Sequence, residues 1–401
     1  MTKIEQLLVE LCPNGVEQKT LGAICQIVRG ASPRPIKSYI TSKENGVPWI
    51  KIGDVSTGAK YVTSTEEYIT EEGAQKSRKV YKGDFILSNS MSFGRPYILQ
   101  IDGCIHDGWL SISGFQELLS PDFLYHILSS SLIQREMAKK ASFGGAVQNL
   151  NADIVRGIAI PVPPLPVQEE IVRILDELTE KTDELISELK AELEARKKQY
   201  EHYKNKLMSV DSANIFKLGD IAFICDGTHQ TPHYTDSGVK FISVENINDI
   251  FNTTKYISKV DYDKYKVKPQ IGDVFMTRIG SIGKCAVLDK QEDLAYYVTL
   301  ALIRPNQNIV ISKYLKYVIE SMVGAKELRK RTLLNAVPIK INKDDIGKIE
   351  LPIPSTNSQE KIVAQIEKYD IEFDMLIRSI SNEIENRKKQ YEYYRDKLLT
   401  F

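Results

Sequence analysis

The chain is written twice. Residues 196–201 read RKKQYE, and residues 387–392 read RKKQYE again, an offset of 191. The same offset aligns Ile160-Pro161-Val162-Pro163 with Leu351-Pro352-Ile353-Pro354, Gln168-Glu169 with Gln359-Glu360, and Lys206-Leu207 with Lys397-Leu398. Upstream the match loosens and the offset drifts between 189 and 197. Lys19-Thr20-Leu21-Gly22 pairs with Phe216-Lys217-Leu218-Gly219, and the Gly83-Asp84 region pairs with Gly272-Asp273. A period this long excludes a solenoid of short repeats. It implies tandem duplication of a whole domain with its tail. The 401 residues therefore divide into 1–165, 166–210, 211–355 and 356–401.

Each tail carries a seam. The first runs through Ile171, Leu175, Leu178, Leu185, Leu189, Leu193, Tyr200, Tyr203 and Leu207. The second runs through Ile362, Ile366, Tyr369, Phe373, Leu376, Ile380, Ile384, Tyr391, Tyr394 and Leu398. With Thr182 and Arg196 included in the first, and Arg387 in the second, both follow the same alternation of three and four residues. That alternation marks one narrow apolar stripe on a long helix. Pro166 suits a first helical turn, and Thr356 with Gln359 suggests a capping box. Such a helix spans about 55 Å at 1.5 Å per residue, longer than a domain of this size. Two equal seams on one chain pack most simply on each other, antiparallel, relating the globular parts by a pseudo-two-fold axis. The simpler alternative is that each helix packs only on its own domain.

The segments 1–165 and 211–355 mix short β-rich runs (Val47–Ile52, Asp84–Leu87, Lys240–Val244, Val298–Ile303) with helical stretches at Pro121–Lys140 and Ser312–Arg331. This predicts two tandem α+β or α/β domains with long loops. The net charge is zero, which argues against a nonspecific polycation. The globular segments nevertheless lean slightly basic and the helices slightly acidic. The five isolated cysteines form no CxxC pair, so zinc ribbons and disulfide frameworks are excluded and a reducing, cytoplasmic setting fits. There is no apolar run long enough for a membrane span, and the acidic N-terminus does not read as a signal peptide.

Catalytic signatures are missing. Gly280-Ser281-Ile282-Gly283-Lys284 lacks P-loop spacing because position 278 is Arg, and no glycine fingerprint opens a helix after a strand. His229 and His233 have metal-like spacing, but Pro232 lies between them, so they read as a polar loop. Two loops instead combine Gly with donors suited to phosphates and base edges. From the first come Ser88, Asn89, Ser90, Ser92 and Arg95, with His106 nearby. From the second come Thr277, Arg278, Ser281 and Lys284, with Thr228, His229 and Gln230 upstream. Helical cations Lys139, Lys140, Arg329, Lys330 and Arg331 occupy matching regions of the two copies and could track phosphates. Arg196–Lys198 and Arg387–Lys389 read as solvated, dipole-complementing helix residues.

Two variable domains, each followed by a Pro-hinged helix ending RKKQYExYxxKL, resemble the specificity subunit of Type I restriction-modification enzymes. Cys12-Pro13-Asn14-Gly15-Val16, Gly227-Thr228-His229 and Ala336-Val337-Pro338-Ile339 carry the same likeness. The resemblance implies a non-catalytic subunit whose two target-recognition domains each read half of a bipartite site in double-stranded DNA. It implies an antiparallel coiled coil that sets the spacer. It also implies two modification subunits, which use S-adenosylmethionine to methylate flipped adenines, and motor-nuclease restriction subunits, which use ATP and Mg. No cofactor is expected in this chain, and no single base contact carries over. The competing reading is a coiled-coil scaffold that binds proteins.

Overall fold

The computed structural model describes residues 2–56, 58–89, 93–144, 147–209 and 213–401, with the backbone alone at 142–144 and 147–149. Two compact units emerge, and both cross the repeat boundary. Unit 1 joins residues 1–189 with 382–401, and unit 2 holds residues 190–381.

In unit 1 two five-stranded sheets carry the body. One places Trp109–Ser113 antiparallel between Gln26–Arg29 and Phe85–Ser88. The other contains a parallel pair, Val47–Ile50 with Gly103–Ile105. Phe85–Ser88 and Pro96–Leu99 are buried at every position. Apart from Ser88 they therefore read as continuous apolar runs rather than alternating ones. A short antiparallel pair, Gln18–Thr20 with Ala159–Pro161, closes the body beside the long helix.

Unit 2 repeats this plan with two four-stranded sheets. Leu300–Pro305 lies between Ala222–Asp226 and Val274–Thr277. Val239–Ile242 pairs in parallel with Leu294–Tyr296, and Asn214–Lys217 closes on Glu350–Ile353. The mixed α+β expectation holds in both copies.

Each expected helical stretch is two helices. Ser130 is extended (φ −64°, ψ 148°) and separates Pro121–Ser129 from Ser131–Lys140. Its hydroxyl accepts from the Ile133 amide at 3.3 Å and donates to the Ile127 carbonyl at 2.7 Å. Ser321 separates Ser312–Glu320 from Met322–Arg331 in the same way. An N-capping serine offers the backbone a better partner than helix continuation does, and apolar periodicity does not register it.

The tails are continuous helices, Leu165–Met208 and Thr356–Leu398. Within unit 1 the start of the first meets the end of the second: Thr179 Oγ1 donates to Tyr391 Oη at 3.0 Å. Within unit 2 the end of the first meets the start of the second. Tyr200 stacks on Phe373 with ring centroids 4.3 Å apart and donates its hydroxyl to Asp370. Residue numbers that rise on one helix fall on the other, so the pairing is antiparallel. Packing of each helix solely on its own domain is thereby excluded.

The seam departs from expectation at its ends and edge. Val167, Ile186, Met208, Val363 and Leu399 are buried although the three-four rule omits them, whereas Tyr203, Tyr369 and Tyr394 stay more than 40% exposed. Helix ends that dock on a globular body bury a wider face than a two-helix stripe. The expected Thr356–Gln359 capping box is absent. Ser355 Oγ accepts from Ser358, and the Gln359 side chain turns inward to the Ile309 and Pro354 carbonyls. Among the described residues no helix is long and apolar enough to cross a membrane.

Candidate nucleic-acid interface

Both Gly-rich loops are closed by the same three hydrogen bonds. In unit 1 the Gly94 amide donates to the Ser88 carbonyl at 2.9 Å, the Ser88 amide to the Arg95 carbonyl at 3.2 Å, and the Arg95 amide to Ser88 Oγ at 3.2 Å. In unit 2 Gly283 donates to Thr277 at 2.9 Å, Thr277 to the Lys284 carbonyl at 2.8 Å, and Lys284 to Thr277 Oγ1 at 3.0 Å. Gly94 and Gly283 adopt φ +71° and +88°, a turn that only glycine makes without strain. The loops end on Arg95 and Lys284, both exposed.

This geometry corrects part of the expected set. Ser88, Asn89, Thr277 and Arg278 are buried, so they build the loops and do not present themselves to a ligand. Asn89 Nδ2 donates to the Asp107 carbonyl at 2.8 Å. Arg278 forms an ion pair with Asp226 and donates Nε–H to the Ile341 carbonyl at 3.1 Å. That pair ties the Gly227-Thr228-His229 loop to the Ile279–Lys284 loop. A buried guanidinium needs such partners, and sequence polarity cannot tell an anchored Arg from a reaching one.

His106 is also held inside. Its Nδ1 faces the Gly108 amide at 2.6 Å and its Nε2 the Ile52 amide at 3.3 Å. Burial lowers its pKa against the opposing pull of Asp107, and amide donors on both sides further disfavour protonation. Ser90 and Ser92 lie outside the described residues.

The remaining residues reach solvent. Thr228 is half-buried; its hydroxyl accepts from the Gln230 amide at 3.3 Å and leaves His229 and Gln230 exposed. These three line a concavity of about 710 Å³ together with Tyr265 and His233. Ser281 is exposed, as are Lys139, Lys140, Arg329 and Lys330. Lys140 pairs with Glu136, while Lys330 and the half-buried Arg331 share Glu327. Arg95, Lys139, Lys284 and Arg329 have no acidic partner among the described residues. Exposed cations beside Gly-rich turns suit phosphate contact, and polar tips suit base edges. Among the described residues no cluster of His, Cys, Asp and Glu could hold a metal ion.

Unit 1 has a counterpart to the Gly227 loop that composition did not single out. Ser32 Oγ donates to Asp107 at 2.7 Å, and Arg34, 83% exposed, lies 3.6 Å from the same carboxylate. The signal was available, since Gly30 aligns with Gly227 at offset 197.

The family of the Type I restriction modification DNA specificity domain matches residues 13–195 and 211–386. The chain belongs to that family. It recognises DNA sequence as a specificity subunit within a Type I restriction-modification complex, which disfavours the scaffold reading. It is 28% identical over 407 residues to a type I restriction enzyme specificity subunit of Haemophilus influenzae, covering 96% of both chains. It is 30% identical over 266 residues to the EcoR124I/EcoR124II specificity subunit of Escherichia coli, covering 61% of this chain and 63% of that one. A chain from a structure of type I R-M complex assembly superposes with a TM-score of 0.77 at 19% identity, covering 96% of this chain and 98% of that one. The HsdS subunit of Thermoanaerobacter tengcongensis gives 0.61 at 19%, covering 96% and 97%. At that identity the two structures speak for the fold.

Proposed function

We propose that each unit of this specificity subunit reads one half of a bipartite, asymmetric DNA sequence, and that the paired long helices set the spacer and dock two modification subunits. The loop pair carries this reading. Ser88–Arg95 and Thr277–Lys284 share one hydrogen-bonded frame but display different side chains. Two readers on one scaffold with different surfaces suit two different half-sites. Joining them makes the second binding event intramolecular, and helices hold a distance better than a flexible linker.

Chemistry then belongs to the partners. Modification subunits would supply S-adenosylmethionine for adenine methylation, and restriction subunits ATP and Mg for translocation and cleavage. This chain would contribute selectivity.

The test is a seven-residue insertion into both helices at facing positions, after Lys190 and after Ser381, followed by methylome sequencing with the modification subunit co-expressed. Seven residues add about 10 Å at 1.5 Å each, close to three base pairs at about 3.4 Å per step. The expected outcome is a spacer longer by about three base pairs between unchanged half-sites. Active methylation at the original spacing would overturn the ruler.

A further inference from the structure

Unit 2 carries an apolar tip beside its reading loop. Leu333–Lys340 folds back on itself, with the Leu333 amide donating to the Lys340 carbonyl at 2.8 Å. The turn is fastened to the Gly-rich loop: the Gly280 amide donates to the Ile339 carbonyl at 2.9 Å, and the Ile341 amide to the Arg278 carbonyl at 3.0 Å. Yet its apolar side chains face water. Val337 is 100% exposed and Leu334 57%. An apolar cluster held out on a braced turn marks a contact surface.

The surroundings select the partner. Lys284, Arg329 and Lys340 are exposed and have no ion-pair partner among the described residues. A concavity of about 480 Å³ between loop, helix and turn is lined by Ser281, Lys284, Arg329, Leu334 and Ile339. Its carboxylate, Glu320, is engaged by the Cys285 amide at 2.9 Å. Unpaired cations around an apolar point fit a polyanion with an apolar interior, which is a stacked duplex. Proteins that wedge DNA combine these two features, with cations on the phosphates and an aliphatic or prolyl side chain between bases.

We propose that the Leu334–Val337–Pro338 tip is a wedge that presses into the base stack of the half-site read by unit 2. Lys284, Arg329 and Lys340 hold the flanking phosphates. The wedge adds selectivity where no base edge is contacted, because pyrimidine–purine steps unstack more readily than others. The proposal rests on unit 2 being a DNA reader.

The experiment uses the chain assembled with its modification subunit and a duplex carrying the methylome-mapped site, with 2-aminopurine placed in turn at each adenine position outside the methylated base. The wild-type complex should raise fluorescence at one step of one half-site. Val337→Ser and Leu334→Ser, made at exposed positions, should abolish that rise and weaken binding roughly ten-fold, the loss expected when a buried aliphatic side chain goes missing. They should leave the salt dependence unchanged. Lys284→Ala and Arg329→Ala should each flatten the salt slope by about one. Tight wild-type binding with no fluorescence change at any step would overturn the wedge. So would variants that bind DNA normally but lose the modification subunit, which would make the tip a protein-docking surface. Failure of the wild-type complex to bind any mapped site would instead remove the proposed half-site reading.

Discussion

Asp396 caps a helix that begins 265 residues before it: its carboxylate accepts the Ser131 amide at 3.1 Å. Ser131 opens the helix Ser131–Lys140, so the carboxylate meets an amide that would otherwise lack a helical partner, and it meets it at the positive end of the dipole. Arg395 reinforces the contact by donating to Ser131 Oγ at 3.1 Å. In unit 2 Asn205 accepts the Met322 amide at 2.8 Å, and Asn205 and Met322 correspond to Asp396 and Ser131 at the repeat offset. The end of each long helix thus completes the body of the other copy.

Asp396→Ala should lower the stability of unit 1 by about 1 kcal/mol, the usual cost of losing a helix-capping acceptor. Asn205→Ala should cost unit 2 a similar amount. Hydrogen exchange resolves the two, with faster exchange near Ser131–Ile133 in the first variant and near Met322–Gly324 in the second. Deleting 382–401 should do far more to unit 1, because Leu398 and Leu399 pack in the same cluster as Ile171 and Leu175.

The two glutamines at the helix starts are a stricter case. Gln168 is fully buried. It accepts from the Ser120 amide at 2.9 Å and donates to the Leu118 and Pro163 carbonyls at 2.8 and 2.7 Å. Gln359 makes the same three bonds to Ile311, Ile309 and Pro354. Gln168→Leu keeps the volume but strands three backbone groups, and each unsatisfied group costs about 1–3 kcal/mol. A loss of about 3 kcal/mol or more is expected in denaturant unfolding, with Gln359→Leu matching it in unit 2.

Those glutamines also show where the sequence is legible. Their recurrence at offset 191 was plain, and the seam spacing gave two long helices, because helical period and duplication are written in order and type alone. Burial is not. Ser88 and Arg278 looked like donors for DNA, but the chain surrounds both. Polarity does not reveal which neighbour satisfies it. Ser32 and Arg34 went unnoticed because no composition bias marks them; the alignment of Gly30 with Gly227 points to their loop, and their tertiary approach to Asp107 picks out the residues. Ile186, in the middle of its helix, is buried although the seam rule omits it.

Acid should weaken unit 1 through His126. Its ring is buried, with Nε2 3.0 Å from Asp176 and Nδ1 without a hydrogen-bond partner among the described residues. Burial holds its pKa below the usual value, although Asp176 opposes the shift. The unfolded chain takes up this proton near pH 6.5 and the folded chain only at lower pH. Between those values the unfolded state binds more protons, so stability rises with pH. The contribution is complete above about pH 6.5 and is lost as the pH falls through the folded value, by at most about 1.4 kcal/mol per pH unit. His106 acts with the same sign. Denaturant unfolding at several pH values between neutrality and pH 5 should show a shallower acid limb in His126→Gln. An identical slope in variant and wild type would dismiss this account.

Two glycines without unusual dihedrals make the sharpest prediction. A Cβ on Gly30 would sit 2.0 Å from the His106 carbonyl oxygen, and one on Gly227 2.4 Å from the Tyr297 carbonyl oxygen. Both obstacles are backbone, so no side chain can swing aside. Either the strand end moves or the facing loop does, and such overpacking costs typically about 1–3 kcal/mol or more. The displaced loops are the ones that carry Ser32 and Arg34 in unit 1, and His229 and Gln230 in unit 2. On the proposed half-site reading, Gly30→Ala should therefore relax methylation specificity at one half-site and Gly227→Ala at the other, each leaving the opposite half and the spacer intact. Methylome sequencing of the two variants distinguishes this from a general loss of stability, which would lower methylation at every site without changing the motif.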